Sequence, residues 1–426
     1  MSIAVFVGVL LGAIALGLPV AYALLLAGAA LMLQLDLFDA QILAQNVLEG
    51  ANSFPLLAVP FFMLAGEIMN AGGLSRRIID LALALVGHLR GGLGYVTIVA
   101  AVLLASLSGS AVADTAALAA LLLPMMVRAG HGRERSGGLI ACAGIIAPVI
   151  PPSIPFVIFG VAANVSIGRL FMAGIVPGIL MGVAIAVAWW WVARREAVPT
   201  PPRASRAEVL RALRQSLWAL ALPFIVLLGL KLGVFTPTEA AVVAAVYAWF
   251  VATVVYRELP LARLYTVLVA AAQTTAVIMF LVAAAAVGAW LITVANLPGQ
   301  LIEWLQPLMD APTQLLLAIM GFLFLVGMAL DLTPAILILA PVLVPVVRAA
   351  GIDPVYFGVL FVMMGSIGLV TPPVGTVLNV VAGVGRMKIH HVARGVLPFL
   401  LAQLIVLLLL VLFPSIVMVP YRWWYG

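Results

Sequence analysis

Residues 106–115 read Ser106-Leu-Ser108-Gly109-Ser110-Ala-Val-Ala-Asp114-Thr115, a polar, glycine-bearing stretch inside an apolar segment that spans about 93–127. The next apolar segment is interrupted by Pro151-Pro152-Ser153. In the second half, Gly327-Met-Ala-Leu-Asp331-Leu-Thr333-Pro334 and Thr371-Pro-Pro-Val-Gly-Thr376 occupy equivalent places. Proline removes an amide donor and clashes with the preceding turn, while glycine tolerates unwound backbone. An unwound stretch leaves carbonyls without partners, and a bilayer core tolerates that only where protein or a water-filled cavity satisfies them. Carbonyls, Ser/Thr hydroxyls and a carboxylate form an oxygen-only ligand set that suits a hard cation such as Na⁺. Half-helix N-termini at the same breaks offer free amides to an anionic substrate. Ser, Gly and Ala in membrane helices commonly serve close packing. Four interruptions in two matched pairs favour a site over packing.

The rest of the composition supports the membrane setting. Of 426 residues, 65% are hydrophobic and 8% are charged, against roughly 45–50% and about 25% in soluble domains. The apolar runs are continuous, as in Val99–Leu104 and Leu404–Phe413, so the spans are helices and not alternating barrel strands. At about 20 residues per crossing, the chain holds material for roughly ten to twelve spans. Apolar segments lie at about 3–36, 51–71, 93–127, 138–164 and 172–193, then at 216–233, 236–256, 264–296, 313–347, 357–385 and 396–420. The stretch Asp39–Gly50 is expected along the interface. The N-terminal segment lacks a basic n-region and reads as a retained membrane segment.

The halves repeat. Shifted by 221, Pro124 falls on Pro345, Gly130 on Gly351, Gly144 on Gly365, Pro151–Pro152 on Pro372–Pro373, and Pro177 on Pro398, while Ser110 falls on Asp331. The expected organisation places N-terminal scaffold helices and an interfacial arm at 1–50. A first repeat follows at 51–193, with a hairpin at 51–71. A basic cytoplasmic loop covers 194–215 and scaffold helices 216–263. A second repeat fills 264–426, with a hairpin at 264–296. Five crossings separate these two hairpins, and an odd number inverts equivalent units. The fold class is therefore an all-α polytopic membrane protein of inverted repeats, with two re-entrant hairpins and interrupted helices.

Charge sets orientation and removes other functions. With the loop at 194–215 in the cytoplasm, 14 of the 21 Lys and Arg face inward, so the positive-inside rule prefers this arrangement, with both termini periplasmic. The net charge of +6 sits in short loops, which excludes nucleic acid as a partner. Cys142, the sole cysteine, allows no internal disulfide and reads as a small buried hydrophobe. His88, His131, His390 and His391 stand beside loop arginines or lysines and read as surface residues. No GxSxG, HExxH or Walker sequence is present, so the chain is not expected to be an enzyme, and pumping must draw on an ion gradient. Asp114 and Asp331 lie deep in apolar segments, where a carboxylate is a functional hypothesis by default. Glu67 and Glu239 read equally as polar clamps or site residues. Glu134, Glu196 and Asp353 read as solvated loop residues.

At these segments the sequence resembles the large (M) permease subunit of the TRAP, or tripartite ATP-independent periplasmic, transporters. FPLLAVPFFMLAGEIMNAGGLSRRI, LSGSAVADTAALAALLLPMM, IIAPVIPPSIPFVIFG and GIDPVYFG…GLVTPPVGTVLNV carry the resemblance, which extends over essentially the whole chain. Within the family it looks most like the diketogulonate-type large permeases, through SGSAVADTAA, LTPAILILAPVL and TPPVGTVLNVV. The resemblance implies Na⁺-coupled uptake by an elevator motion, in which a scaffold holds a mobile domain. It also implies two partners, a small four-helix membrane subunit and a periplasmic substrate-binding protein. It puts substrate contacts at Ser108, Ser153 and Asp331, and Na⁺ contacts at Ser106, Gly109, Ser110, Thr371 and Thr376. The expected function is import of a small organic acid, a sugar acid, across a bacterial inner membrane. The rival is a stand-alone Na⁺-coupled di- or tricarboxylate carrier of a related inverted-repeat family.

Overall fold

The computed structural model describes residues 2–196, 198 and 200–425. Among the described residues there is no β-strand, and the chain forms twenty α-helices. The first half contributes α1 (Ser2–Ala15), α2 (Val20–Gln34), α3 (Ala40–Ala51), α4 (Ala58–Ala71) and α5 (Leu74–Val86). It continues with α6 (Gly92–Ser108), α7 (Ala111–Arg128), α8 (Arg133–Gly144), α9 (Ile154–Ala162) and α10 (Ile167–Ala193). The second half begins with α11 (Arg206–Lys231), α12 (Pro237–Phe250), α13 (Leu261–Val294), α14 (Leu297–Met309) and α15 (Pro312–Gly327). It ends with α16 (Leu332–Ala349), α17 (Pro354–Gly368), α18 (Thr376–Gly385), α19 (Ile389–Leu412) and α20 (Ser415–Tyr425). Adding 221 to the bounds of α5–α10 lands on those of α14–α19 within three residues. Both Pro151–Pro152 and Pro372–Pro373 are cis.

Among the described residues eight helices are long and apolar enough to cross a membrane, fewer than the sequence count of spans. The difference lies in shorter apolar helices such as α1, α2, α6 and α15, and in the interruptions. Unwound segments divide α8 from α9 and α17 from α18, so each of those crossings is made of two short helices.

The re-entrant hairpins are α6–α7 and α15–α16. Trp189, near the end of α10, donates its indole N–H to Gly91 O at 2.8 Å, just before α6. The His131 ring, just after α7, lies 5.4 Å from the same indole. The start of α6 and the end of α7 therefore sit at one end of α10, and the chain must reverse between them. It does so at Gly109, in the left-handed region at φ 61, followed by Ser110. At the end of α16, Arg348 donates to Asn164 O at 3.5 Å, beside the opposite end of α10. A helix of 27 residues is about 40 Å long at 1.5 Å per residue, so the two hairpins enter from opposite faces. Five crossings lie between them (α8–α9, α10, α11, α12 and α13), which keeps the inversion.

This corrects the hairpins expected at 51–71 and 264–296. Residues 261–294 form one unbroken 34-residue helix. The alanine-rich run there favours helix, and no proline or left-handed residue reverses it. In the first half, Phe54–Leu57 is a single 3₁₀ turn leading into α4.

Two groups of helices result. α1–α4 pack with α11–α13 as a scaffold, and α6–α10 pack with α15–α19 as a second body. Helix α3 has no fully buried side chain and packs along α13 through Leu43 and Val47. The basic loops gather on one face: Arg90 bonds Arg194 O, Arg77 pairs with Glu258 at 2.7 Å, and Arg133 bonds the Gly385 carbonyl. Arg77 and Arg90 thus join the 14 basic residues assigned to that side.

The second body is held by close backbone approach. A Cβ at Gly138 in α8 would fall on the Gly395 backbone of α19, and one at Gly395 would fall on the Glu134 carbonyl. Gly395→Ala should lower the thermal midpoint of the purified protein by several degrees, because overpacking costs about 1–3 kcal/mol. Gly383→Ala, which meets open space, should leave the midpoint unchanged. Differential scanning fluorimetry checks both.

Candidate functional site

Each hairpin tip rests on the unwound segment of its own repeat. A Cβ at Gly109 would stand 2.7 Å from Pro152 O and 2.9 Å from Ser153 Cα, so only glycine lets the first tip reach the Pro–Pro–Ser break. The second tip makes the matching contact, with Val374 N donating to Met328 O at 3.3 Å. The Cα atoms of Gly327 and Gly368 are pressed together beside it.

Around the first break the polar side chains converge. Ser110 caps α7, its hydroxyl accepting from Ala113 N at 3.3 Å, and its own amide donates to Ser108 Oγ at 3.2 Å. Ser108 donates to the Asp114 carboxylate. Asp114 and Thr115 are fully buried, and Asp114 Oδ2 and Thr115 Oγ1 have no protein hydrogen-bond partner. Gly144, the last residue of α8, is pressed against the Thr115 side chain. Ser153 caps α9, accepting from Phe156 N at 3.3 Å and donating to Pro148 O. The result is a compact set of oxygens beside unwound backbone.

The second break carries different side chains. Asp331 caps α16, with Leu332 N donating to Oδ1 at 3.0 Å, and Thr376 lies beside it. Thr371 is buried and donates to Ile367 O at 2.8 Å. Gly375, in the left-handed region at φ 49, precedes α18 and supplies no side-chain cap. Asn379 donates to Val374 O at 2.9 Å and steadies the turn.

The two repeats interleave at this level. α18 packs on α7, and α9 packs on α16, so each half-helix after a break lies on the hairpin of the other repeat. Four helix N-termini (α7, α9, α16 and α18) therefore begin at the breaks. Their amide ends favour negative charge, and the unwound carbonyls beside them favour cations. The arrangement can hold an alkali cation and an anion in one place.

The residues named from the sequence are not all equivalent in the structure. Ser108, Gly109, Ser110 and Ser153 are brought together at the first break, and Asp331, Thr371 and Thr376 belong to the second. Ser106 donates to Leu103 O at 2.7 Å within its own helix. Asp331 lies exposed at the hairpin tip, where the break ends and the residue caps the next helix. Asp114 keeps the burial expected of it, and with Thr115 it belongs to the oxygen set that the sequence assigned to Na⁺ without them. The spacing Ser108…Asp114-Thr115 was the available signal. Glu239 closes a capping box with Thr236, so it serves as a local clamp.

Of the histidines, His131 needs correction. His131 is buried against Trp189 and pairs with Glu196 at 2.6 Å, and His391 pairs with Glu134. Glu196 is thus a partner of a buried histidine, because the loop after α7 folds under the end of α10, while Glu134 pairs with His391 and keeps its side chain exposed as expected.

Comparison with known proteins follows the same lines. Residues 7–416 match the model of the DctM component of the tripartite ATP-independent periplasmic transporters. The chain is 56% identical over 423 residues to the 2,3-diketo-L-gulonate TRAP transporter large permease protein YiaN of Escherichia coli, covering 99% of this chain and 100% of that one. It is 40% identical to the sialic acid TRAP transporter large permease protein SiaM of Vibrio cholerae, over 95% of each chain. To the C4-dicarboxylate TRAP transporter large permease protein DctM of Pseudomonas aeruginosa it is 39% identical, over 93% of each. Among solved structures, the YdaH transporter of Alcanivorax borkumensis superposes with a TM-score of 0.64 at 19% identity, over 92% of this chain and 91% of that one, which establishes a shared fold. This is a multi-pass inner-membrane protein, and it belongs to the DctM family, the large permeases of the TRAP transporters.

Proposed function

We propose that the chain is the permease subunit of a Na⁺-coupled symporter that imports a small organic acid, a sugar acid, by an elevator motion. On this reading substrate arrives on a periplasmic binding protein, and a small four-helix membrane subunit braces the scaffold. The observation that carries it is the pair of inverted breaks, where four helix N-termini meet two sets of oxygens. The relative most similar among those compared above is named for 2,3-diketo-L-gulonate, a sugar acid, and this supports the substrate class. In this reading the first break, with Ser108, Gly109, Ser110, Asp114 and Thr115, holds Na⁺, and Thr371 and Thr376 hold a second cation. Ser108, Ser153 and Asp331 meet the substrate. Ser106, whose hydroxyl donates to Leu103 O, keeps its lone pairs for the Na⁺ of the first break.

Cation binding is tested first. Asp114→Asn and Ser110→Ala should raise the Na⁺ concentration for half-maximal uptake by about tenfold to a hundredfold, the loss of a charge-assisted contact worth roughly 1.5–3 kcal/mol. Substituting K⁺ for Na⁺ should abolish uptake. Uptake that persists in K⁺ removes the coupling.

Dependence on partners separates this reading from a stand-alone carrier. In proteoliposomes the chain alone should be inactive, and activity should need both the small membrane subunit and the loaded binding protein. Robust uptake by the chain alone transfers the assignment to the carrier.

Asp331 is tested against Asp353, another aspartate that caps a helix, accepting from Val355 N at 2.7 Å and Tyr356 N at 3.2 Å. Asparagine caps about as well as aspartate, so Asp353→Asn should be silent. Asp331→Asn should lose most uptake at an unchanged thermal midpoint. An Asp331→Asn protein that transports normally, or fails only by unfolding, removes Asp331 from the site.

A further inference from the structure

The two hairpins do not meet the rest of the protein alike. In the first half α5 packs against α11 and α6, burying Leu74, Ile78, Ile79, Leu81 and Ala82. Its counterpart by the 221 shift, α14, buries only Leu297. Beneath α14 lies a cavity of about 300 Å³, bounded by α1 and the end of α13 on one side and by α15 and α16 of the second hairpin on the other. Every side chain lining it is apolar, from Phe6 and Leu297 to Ile319, Phe322, Leu339 and Leu343.

The space is large enough for water, but a buried water needs two to four polar partners and this lining offers almost no polar surface. Its mouth is equally apolar: Trp304 is 69% exposed and Phe322 47% exposed. Glu303, Gln306 and Asp310 lie exposed on α14, while Leu297, Leu301, Trp304 and Leu305 face the cavity. A helix with this division lies in the membrane interface, and tryptophan favours the same depth. The cavity therefore opens into the hydrocarbon just under the headgroups, on the face opposite the basic loops. The apolar material present there in bulk is lipid.

We propose that this cavity is a binding site for one acyl chain of a phospholipid from that leaflet, which enters beneath α14 and lies between the second hairpin and the scaffold. The site is independent of the cation and substrate assignments. The occupant is an acyl chain and not a protein segment, because the repeat counterpart of the gap is already closed by protein while this one is left open to the membrane.

The test uses the full chain in nanodiscs of phosphatidylethanolamine and phosphatidylglycerol, doped with a phosphatidylethanolamine bearing a diazirine in mid-acyl chain. After photolysis, peptide mass spectrometry should find adducts on 297–309 and 338–343. Filling the cavity with Ala318→Phe, or separately Val342→Phe, should cut those adducts about fivefold or more, since a filled apolar cavity excludes its occupant. Labelling on the exposed α19 face at Leu401, Ile405 and Leu408 should not change, and the thermal midpoint reports folding of each variant. Absence of adducts in the cavity peptides, or equal labelling in a folded filled variant, overturns the proposal.

Discussion

Unwound backbone inside a bilayer must find partners within the protein, and this requirement organises the molecule. An unsatisfied amide or carbonyl in hydrocarbon costs several kcal/mol, comparable with the whole stability of many proteins. The breaks around 109–110, 145–153, 328–331 and 369–375 are therefore never left alone. Gly109 brings one tip onto Pro152 and Ser153, and Val374 bonds Met328 at the other. The following half-helices then cross to the other repeat, α9 onto α16 and α18 onto α7. Each repeat supplies partners to its own breaks, and the crossed packing of the half-helices joins the two breaks into one site.

The repeats preserve backbone devices and let side chains diverge. Glycine, proline and the helix caps recur at a shift of 221, but Ser110 becomes Asp331, Asp114 becomes Ala335, Ser153 becomes Val374 and Pro155 becomes Thr376. The first break thus holds a buried carboxylate among hydroxyls, and the second holds an exposed carboxylate beside threonines. A buried carboxylate with one oxygen free of protein partners is suited to a cation that replaces its lost hydration. An exposed carboxylate at a hairpin tip is suited to accept from a hydroxylated ligand. Duplication supplied the frame, and divergence gave the two breaks different oxygens for the proposed cation and substrate contacts.

The sequence made much of this legible because glycine and proline punctuate the backbone wherever they fall. The repeat register and the four breaks both follow from residues with local consequences. The hairpins were less legible. Reversal at Gly109–Ser110 and passage through α13 look alike in hydropathy, since both are apolar runs of about 35 residues. What separates them is the return of His131 to Trp189, a contact 58 residues apart in sequence that no local pattern encodes. The same tertiary fold hid the burial of His131 and its pairing with Glu196. Thr115 was missed for a related reason: its importance comes from Gly144 across a helix interface.

The proposed elevator motion requires a body that is stiff within and loosely held at its edge, and the packing divides in that way. Inside α6–α10 and α15–α19 the contacts are backbone on backbone, as at Gly138 with Gly395 and Gly327 with Gly368. Such contacts cannot slide without a clash. Where the second hairpin faces the scaffold, the contact is made by flexible side chains such as Phe6, Leu305 and Leu343 around open volume. Side chains of that kind change rotamer at little cost, and hydrocarbon can follow the surface as it shifts. On the opposite face α5 is packed against α11 and α6. On the proposed motion, a closed joint at one hairpin and an open joint at the other would place the body at one end of its travel. The proposed opposite state would then exchange the two joints, packing α14 down and lifting α5.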